Sequence, residues 1–222
     1  RPPRSTLFPY TTLFRSLIIG ATGGVGQQLV AQGLDAGHGI TAFVRSPEKL
    51  EASVEAIKGD VRDAASVAAA FAGRSYDAVI FSVGAGSLSK DDVRAVGTGH
   101  VIAAMQQHTP NALLVIVSSL LTGDSKQQMG IPARWLVGWI LRHPIADHEA
   151  QEKQVFASDL PYLIVRPGGL SDEALTGQYT VSQPPESVPA NGSIPRADVA
   201  HFILSALDKP EHRNQAITLT PA

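Results

Sequence analysis

Short apolar runs separated by longer stretches of helical periodicity repeat along most of the chain. The runs Leu17 to Ile19, Ile40 to Val44, Glu55 to Lys58, Ala78 to Ser82, Leu113 to Ser118 and Tyr162 to Arg166 predict strands. Most are continuously apolar and rich in β-branched residues, as expected where a sheet is covered on both faces. Between them, Gly24 to Ala36, Ala64 to Ala72, Asp91 to Gln107, Ala146 to Ala157 and Arg196 to Leu207 space their apolar residues three and four apart, which predicts helices. Alternation of this kind builds βαβ units, so the expected fold is a Rossmann-like, doubly wound, mainly parallel α/β sheet in one domain.

Two segments break the alternation. Between Thr122 and Pro144, Trp135 and Trp139 stand four residues apart, which puts them on one helical face. That face either packs on the body of the domain or walls a flat aromatic substrate. Gly177 to Gly192 is rich in proline, serine and glycine, with Tyr179 to Val181 as a short strand, and reads as a surface loop. It should form part of a small C-terminal lobe on the substrate side.

Composition narrows the partners more than the fold. With 222 residues the chain is large enough for one full core. A net charge of -2 gives no field for nucleic acid or anionic lipid, so the expected partner is a small molecule. Ala112 to Leu121, the most apolar stretch, is far shorter than the ~20 residues of a membrane-spanning helix. There is no cysteine, which removes disulfides and thiolate chemistry and fits the cytoplasm. His38, His100, His108, His143, His201 and His212 lack the spacing of a metal site, and no metal is expected. The expected assembly is a monomer or homodimer.

The first sixteen residues are read apart from the rest. Leu7 to Ser16, LFPYTTLFRS, matches the translation of a common short-read sequencing adapter, and no apolar core of a secretory signal accompanies it. Residues 1–16 are therefore expected to be foreign to the domain, which would occupy residues 17–222, although the adapter residues next to Leu17 still complete the first strand.

Candidate chemistry begins directly after that strand. Gly20, Gly23 and Gly26 give a G-x-x-G-x-x-G spacing between a strand and a helix, within the run Gly20, Ala21, Thr22, Gly23, Gly24, Val25, Gly26. Glycines without Cβ let the chain turn tightly and bring backbone N–H groups and a helix N-terminus against a pyrophosphate. Thr22 adds a hydroxyl donor. At the end of the second strand, where a carboxylate would select NAD, the sequence places Val44, Arg45 and Ser46. Arg45 suits a 2′-phosphate, so the expected cofactor is NADPH.

Together with Arg45, the pairs Gly59–Asp60 and Ser118–Ser119, and the runs Phe81 to Gly84, Arg166 to Leu170, Leu175 to Val181 and Pro195 to Leu204, this chain resembles the atypical short-chain dehydrogenases. Within them it is similar to the NmrA-like NAD(P)H-binding proteins and the biliverdin and flavin reductases. The resemblance implies that Asp60 and Val61 lie against adenine, Ser82, Val83 and Gly84 along the cofactor with Ser118, and Pro167 and Gly168 near the nicotinamide. It departs from the family in two places. No tyrosine is followed four residues on by lysine, the pair that protonates a carbonyl oxygen in ordinary short-chain dehydrogenases. Gly169 stands where the biliverdin reductase relatives present a histidine.

Hydride transfer to a planar conjugated acceptor, a flavin or quinone, tolerates the missing tyrosine because its proton comes from solvent. Ser119, at the end of the fifth strand, and His148, which titrates near neutral pH when unperturbed, are the candidate catalytic residues. Two other readings stay open: a redox-sensing regulator of the NmrA type that binds dinucleotide without turnover, and a nucleotide-sugar epimerase, for which the chain lacks the larger C-terminal substrate domain.

Overall fold

The computed structural model describes residues 13–84, 91–128, 142–184, 186 and 192–222. Its strands are β1 (Arg15–Ile19), β2 (Gly39–Val44), β3 (Glu55–Lys58), β4 (Ala78–Phe81), β5 (Leu113–Val117), β6 (Tyr162–Pro167), β7 (Gly169–Ser171), β8 (Tyr179–Ser182), β9 (Ser193–Pro195) and β10 (Gln215–Pro221). Helices α1 (Gly24–Asp35), α2 (Ala64–Phe71), α3 (Val93–His108), α4 (Arg142–Phe156) and α5 (Arg196–Ala206) fall between them. Eight strands form one sheet in the order β3-β2-β1-β4-β5-β6-β10-β8, parallel except for the antiparallel pair of β10 with β8. The strand order reverses between β1 and β4, the switch point at which ligands of such sheets bind.

The predicted α/β architecture is the one found, and the alternation of side chains explains its layers. In β1, Ile18 joins a core cluster with Leu29, Phe202 and Ile203 from α1 and α5, whereas Leu17 and Ile19 face a second cluster with Phe71 and Met105 from α2 and α3. Helix α4 packs on α3 on that second face.

β10 and α4 depart from the predicted elements, whereas β1 takes in the residues before Leu17 as expected. β10 is absent from the predicted strands because its buried Thr218 and Thr220 alternate with Ile217 and Leu219, so a strand enclosed on both faces reads as half polar. Helix α4 begins at Arg142, ahead of the apolar periodicity that marks its later turns. Strand β1 extends back through Ser16 and Arg15, whose N–H donates to Asp77 Oδ2 at 2.8 Å. Ser16 is 1% exposed, and its hydroxyl has no hydrogen-bond partner.

β7 and β9 form a two-stranded parallel ribbon beyond the main sheet. Asp198, fully buried in the first turn of α5, accepts from the N–H groups of Thr176 and Gly177 and from the Thr176 hydroxyl. One carboxylate thereby ties the 172–178 connection to α5, and the small C-terminal lobe is anchored to the helix that packs on α1.

Candidate functional site

Gly20 leaves β1 at φ +89°, a left-handed conformation that favours glycine. A Cβ there would meet the backbone of Ser82 and Val83 at 2.9 Å, so the loops after β1 and β4 touch across the switch point. Gly23 N–H donates to the Gly20 carbonyl at 2.9 Å and closes the turn. A Cβ on Gly26 would fall onto the Gly20 carbonyl oxygen and within 2.8 Å of Ala21 Cα. Helix α1 therefore starts directly beneath the loop. Its N-cap, Gly23, makes no side-chain cap bond, and no acidic residue lies in the first turn. The orphan N–H groups of that turn and the positive end of the helix dipole form a cradle for an anion.

The cradle opens into a cleft of about 410 Å³ lined by Gly20, Thr22, Gly23, Val44, Arg45, Asp60, Val61, Arg62, Val83 and Gly84, among others. Arg45 follows β2 directly and is exposed at the rim. Asp60 Oδ1 accepts from Arg62 N–H at 2.9 Å, which fixes the turn after β3. The Val61 side chain is buried, its carbonyl accepts from His100 Nδ1 at 2.8 Å, and α3 approaches it through Gly97. Arg62, not singled out by the sequence motifs, pairs with Asp91 and Asp92 at the edge of this cleft. Those aspartates stand just ahead of α3, so the ion pairs tie the start of that helix to the turn after β3.

Several expected cofactor residues lie beside the cleft rather than in its lining. Val25 packs into the core, and Gly24 lies under the Arg196 side chain. The Ser82 hydroxyl donates to the Ile19 carbonyl at 3.1 Å and holds the ends of β1 and β4 together.

A second group gathers at the ends of β5 and β6. Leu120 N–H donates to the Pro167 carbonyl at 3.0 Å, and Gly168 N–H to Leu219 O at 3.0 Å, so the Ser119 loop and the β6 end form one unit. The Ser119 hydroxyl accepts from Leu121 N–H at 3.3 Å. Ser118 does not face outward. Its hydroxyl donates to Glu152 Oε1 at 2.5 Å, within a buried polar cluster that the motifs gave no sign of. Glu152 is gripped by Arg166 through Nε (3.1 Å) and a terminal nitrogen (2.8 Å), and the Thr122 hydroxyl lies 2.7 Å from its Oε1. Burial works against the Arg166 charge, but the bonds to Glu152 and Asp124 outweigh it and raise its pKa.

His148 requires a correction. It was expected to titrate near neutral pH, yet it is buried in α4, and burial, reinforced by the Arg94 charge, pushes it down to about 4. Its Nδ1 has no hydrogen-bond partner. At neutral pH it is an uncharged imidazole with no surplus proton to donate. Its neighbour Asp147 accepts from the N–H groups of Arg94 and Ala95 and pairs with the Arg94 guanidinium at 3.1 Å, so it caps α3. Trp135 and Trp139 lie outside the described residues. Among the described residues no cluster of histidine and carboxylate side chains could hold a metal, and no helix is long and apolar enough to cross a membrane.

A family model described as NAD(P)H-binding matches residues 20–210. The chain belongs to the NAD(P)H-binding family. A Bacillus subtilis relative, the uncharacterized sugar epimerase YhfK, is 32% identical over 91% of this chain and 92% of its own length. A chloroplastic Arabidopsis thaliana protein is 30% identical over 87% of this chain and 72% of its own. Among solved structures, the anaerobilin reductase ChuY of Escherichia coli O157:H7 superposes with a TM-score of 0.77 at 28% identity, covering 93% of this chain and 96% of that one. A Veillonella parvula short-chain dehydrogenase in complex with NADP shares the fold, with a TM-score of 0.75 at 17% identity over 94% and 95% of the two chains. The family is NAD(P)H-binding and oxidoreductase-like, and these structural neighbours share its Rossmann-like fold.

Proposed function

We propose that this protein is an NADPH-dependent reductase of a planar, conjugated acceptor of the flavin or quinone type. The observation that carries the reading is the cleft itself: a glycine-built anion cradle at one end and the exposed guanidinium of Arg45 at its rim, with no carboxylate at position 44 or 45. The cradle fits a dinucleotide, because Gly20 and Gly26 occupy positions that a Cβ would fill with backbone collisions. Bound NADPH would supply the hydride. The first turn of α1 would hold the pyrophosphate and Arg45 the 2′-phosphate. Asp60 and Val61 would border the adenine, with Val83 and Gly84 along the middle of the cofactor. Ser118 would act indirectly, holding the loop that carries Ser119, next to Pro167 and Gly168 on the nicotinamide side.

The acceptor class follows from what the chain can do with protons. The sequence has no Tyr-x-x-x-Lys pair, and His148 is neutral, so neither acid is ready for a carbonyl oxygen. An extended ring system accepts hydride at carbon or nitrogen and takes its proton from solvent. Ser119, already an acceptor from Leu121, keeps its O–H to orient that ring. One structural neighbour is named an anaerobilin reductase, and a bilin acceptor supports the same broad class. Gly169 supplies no side chain for a bilin, which favours flavins and quinones.

The test is NADPH consumption by purified protein with flavin, quinone, bilin and aldehyde in turn. Turnover with a ring acceptor and none with aldehyde is expected; preference for aldehyde would overturn the reading. Dinucleotide binding without turnover on any acceptor would favour a regulator. Arg45→Gln should weaken NADPH about tenfold and leave NADH unchanged, the loss of one charge-assisted phosphate contact. Equal affinity of the unsubstituted protein for the two cofactors would refute the choice of NADPH.

A further inference from the structure

Arg196 opens α5 in the C-terminal lobe, far in sequence from the glycine loop. Yet a Cβ built on Gly24 would lie 2.5 Å from its Cδ and 2.7 Å from its Nε. The arginine side chain thus rests directly on the first turn of α1. This places a permanent cation against a helix N-terminus whose orphan N–H groups already carry positive partial charge, and whose first turn holds no acidic residue. The arrangement is electrostatically unfavourable unless an anion lies between the two. The Arg196 side chain is 29% exposed, and its ion pair is with Asp172 at 2.7 Å, a carboxylate 89% exposed to water and therefore a weak partner.

The position of Arg196 is not accidental slack. Gln32 Nε2 in α1 donates to the Ala197 carbonyl at 3.0 Å, pinning the start of α5 to α1 at the next residue. Asp198 fixes the same turn to Thr176 and Gly177. The absence of a side chain at Gly24 leaves the space the arginine fills.

We propose that Arg196 is a phosphate-binding residue for the dinucleotide pyrophosphate, reaching it from the C-terminal lobe and held in waiting by Asp172. The inference rests on the dinucleotide site proposed above and adds a ligand that no glycine motif contains. Binding transfers the guanidinium from Asp172 to the phosphates, so Asp172 competes with the cofactor for Arg196.

Titration calorimetry with NADPH, and with 2′-AMP as a probe that carries the 2′-phosphate but no pyrophosphate, tests this on Arg196→Gln and Asp172→Asn. Arg196→Gln should weaken NADPH roughly tenfold to a hundredfold, the range of a lost hydrogen bond to a charged group, with 2′-AMP unchanged. Asp172→Asn should tighten NADPH a few-fold. A merely structural bridge predicts the opposite for Asp172→Asn, a weakening that matches Arg196→Gln, and that result would overturn the proposal. So would unchanged NADPH affinity in Arg196→Gln, or an equal loss of 2′-AMP binding. If the unsubstituted protein binds no NADPH, the dinucleotide site fails and this inference falls with it; binding that ignores Arg196 sinks the inference alone.

Discussion

The strand ends around β1, β2 and β4 and those around β5 and β6 build their surroundings by opposite means. At the first, backbone does the work: the glycine loop has little side-chain mass, and its polar groups face an open cleft. At the second, side chains do it: Arg166 and Glu152, 2% and 3% exposed, lock the Ser118–Asp124 loop from inside. The difference teaches that the first region is organised for a ligand to complete it. The second fixes its loop from within, so that side chains rather than a ligand hold Ser119 in place.

The largest effect should come from breaking the second region. Glu152→Ala leaves the buried Arg166 with the exposed Asp124 as its ion-pair partner among the described residues, and should cost about 3–5 kcal/mol in urea unfolding, as for an unpaired buried charge. A cost under about 1 kcal/mol would mean that the ion pair does not hold this region together. Next comes the first region. Gly26→Ala drives a Cβ into the Gly20 carbonyl, and NADPH affinity should fall more than about a hundredfold. Gly39→Ala serves as its control, because that exposed glycine opens β2 at the end away from Arg45 and a Cβ there makes only ordinary contacts, the nearest at 3.6 Å.

Acid should also distinguish the two regions. His148 binds its proton at pH about 4 when folded and near its ordinary 6.5 when unfolded, so between these values the unfolded chain holds more protons. Stability therefore rises with pH across this window, and up to ~3 kcal/mol is present above 6.5 and lost on acidification toward 4. His148→Gln should flatten that part of a stability profile measured by thermal unfolding; an unchanged slope would show that His148 is not its source. The smallest effect concerns Ser16, whose buried hydroxyl lacks a partner: Ser16→Ala should raise stability by about 1 kcal/mol.

The contrast between the regions also explains what could be read from the sequence. The glycine loop was legible because its requirements are local, with turn, close approach and helix start falling within seven consecutive residues. The continuously apolar strands β1, β2, β4, β5 and β6 were legible for the same reason, whereas β10, with its alternating threonines, was not. Glu152 and Arg166 were opaque because their partnership joins a helix, a strand end and the loop after β5, and a charged pair on separate elements leaves no periodic mark. His148 was found as a position but misjudged as an acid, since its burial is created by packing on α3, which spacing does not report. Arg196 sat inside a recognised run, yet only the three-dimensional approach of α5 to α1 reveals what it touches.

The late strand β10 has a consequence for the order of assembly. It lies between β6 and β8, and the edge strand β8, made some thirty residues earlier, has β10 as its neighbour in the sheet. On a ribosome, β8 must therefore wait for β10 before it can dock. Until then the outer edge of β6 stays open, an adhesive border for other nascent chains. A nascent chain stalled before Gln215 would thus carry its nucleotide loop, yet depend on chaperones to remain apart from its neighbours.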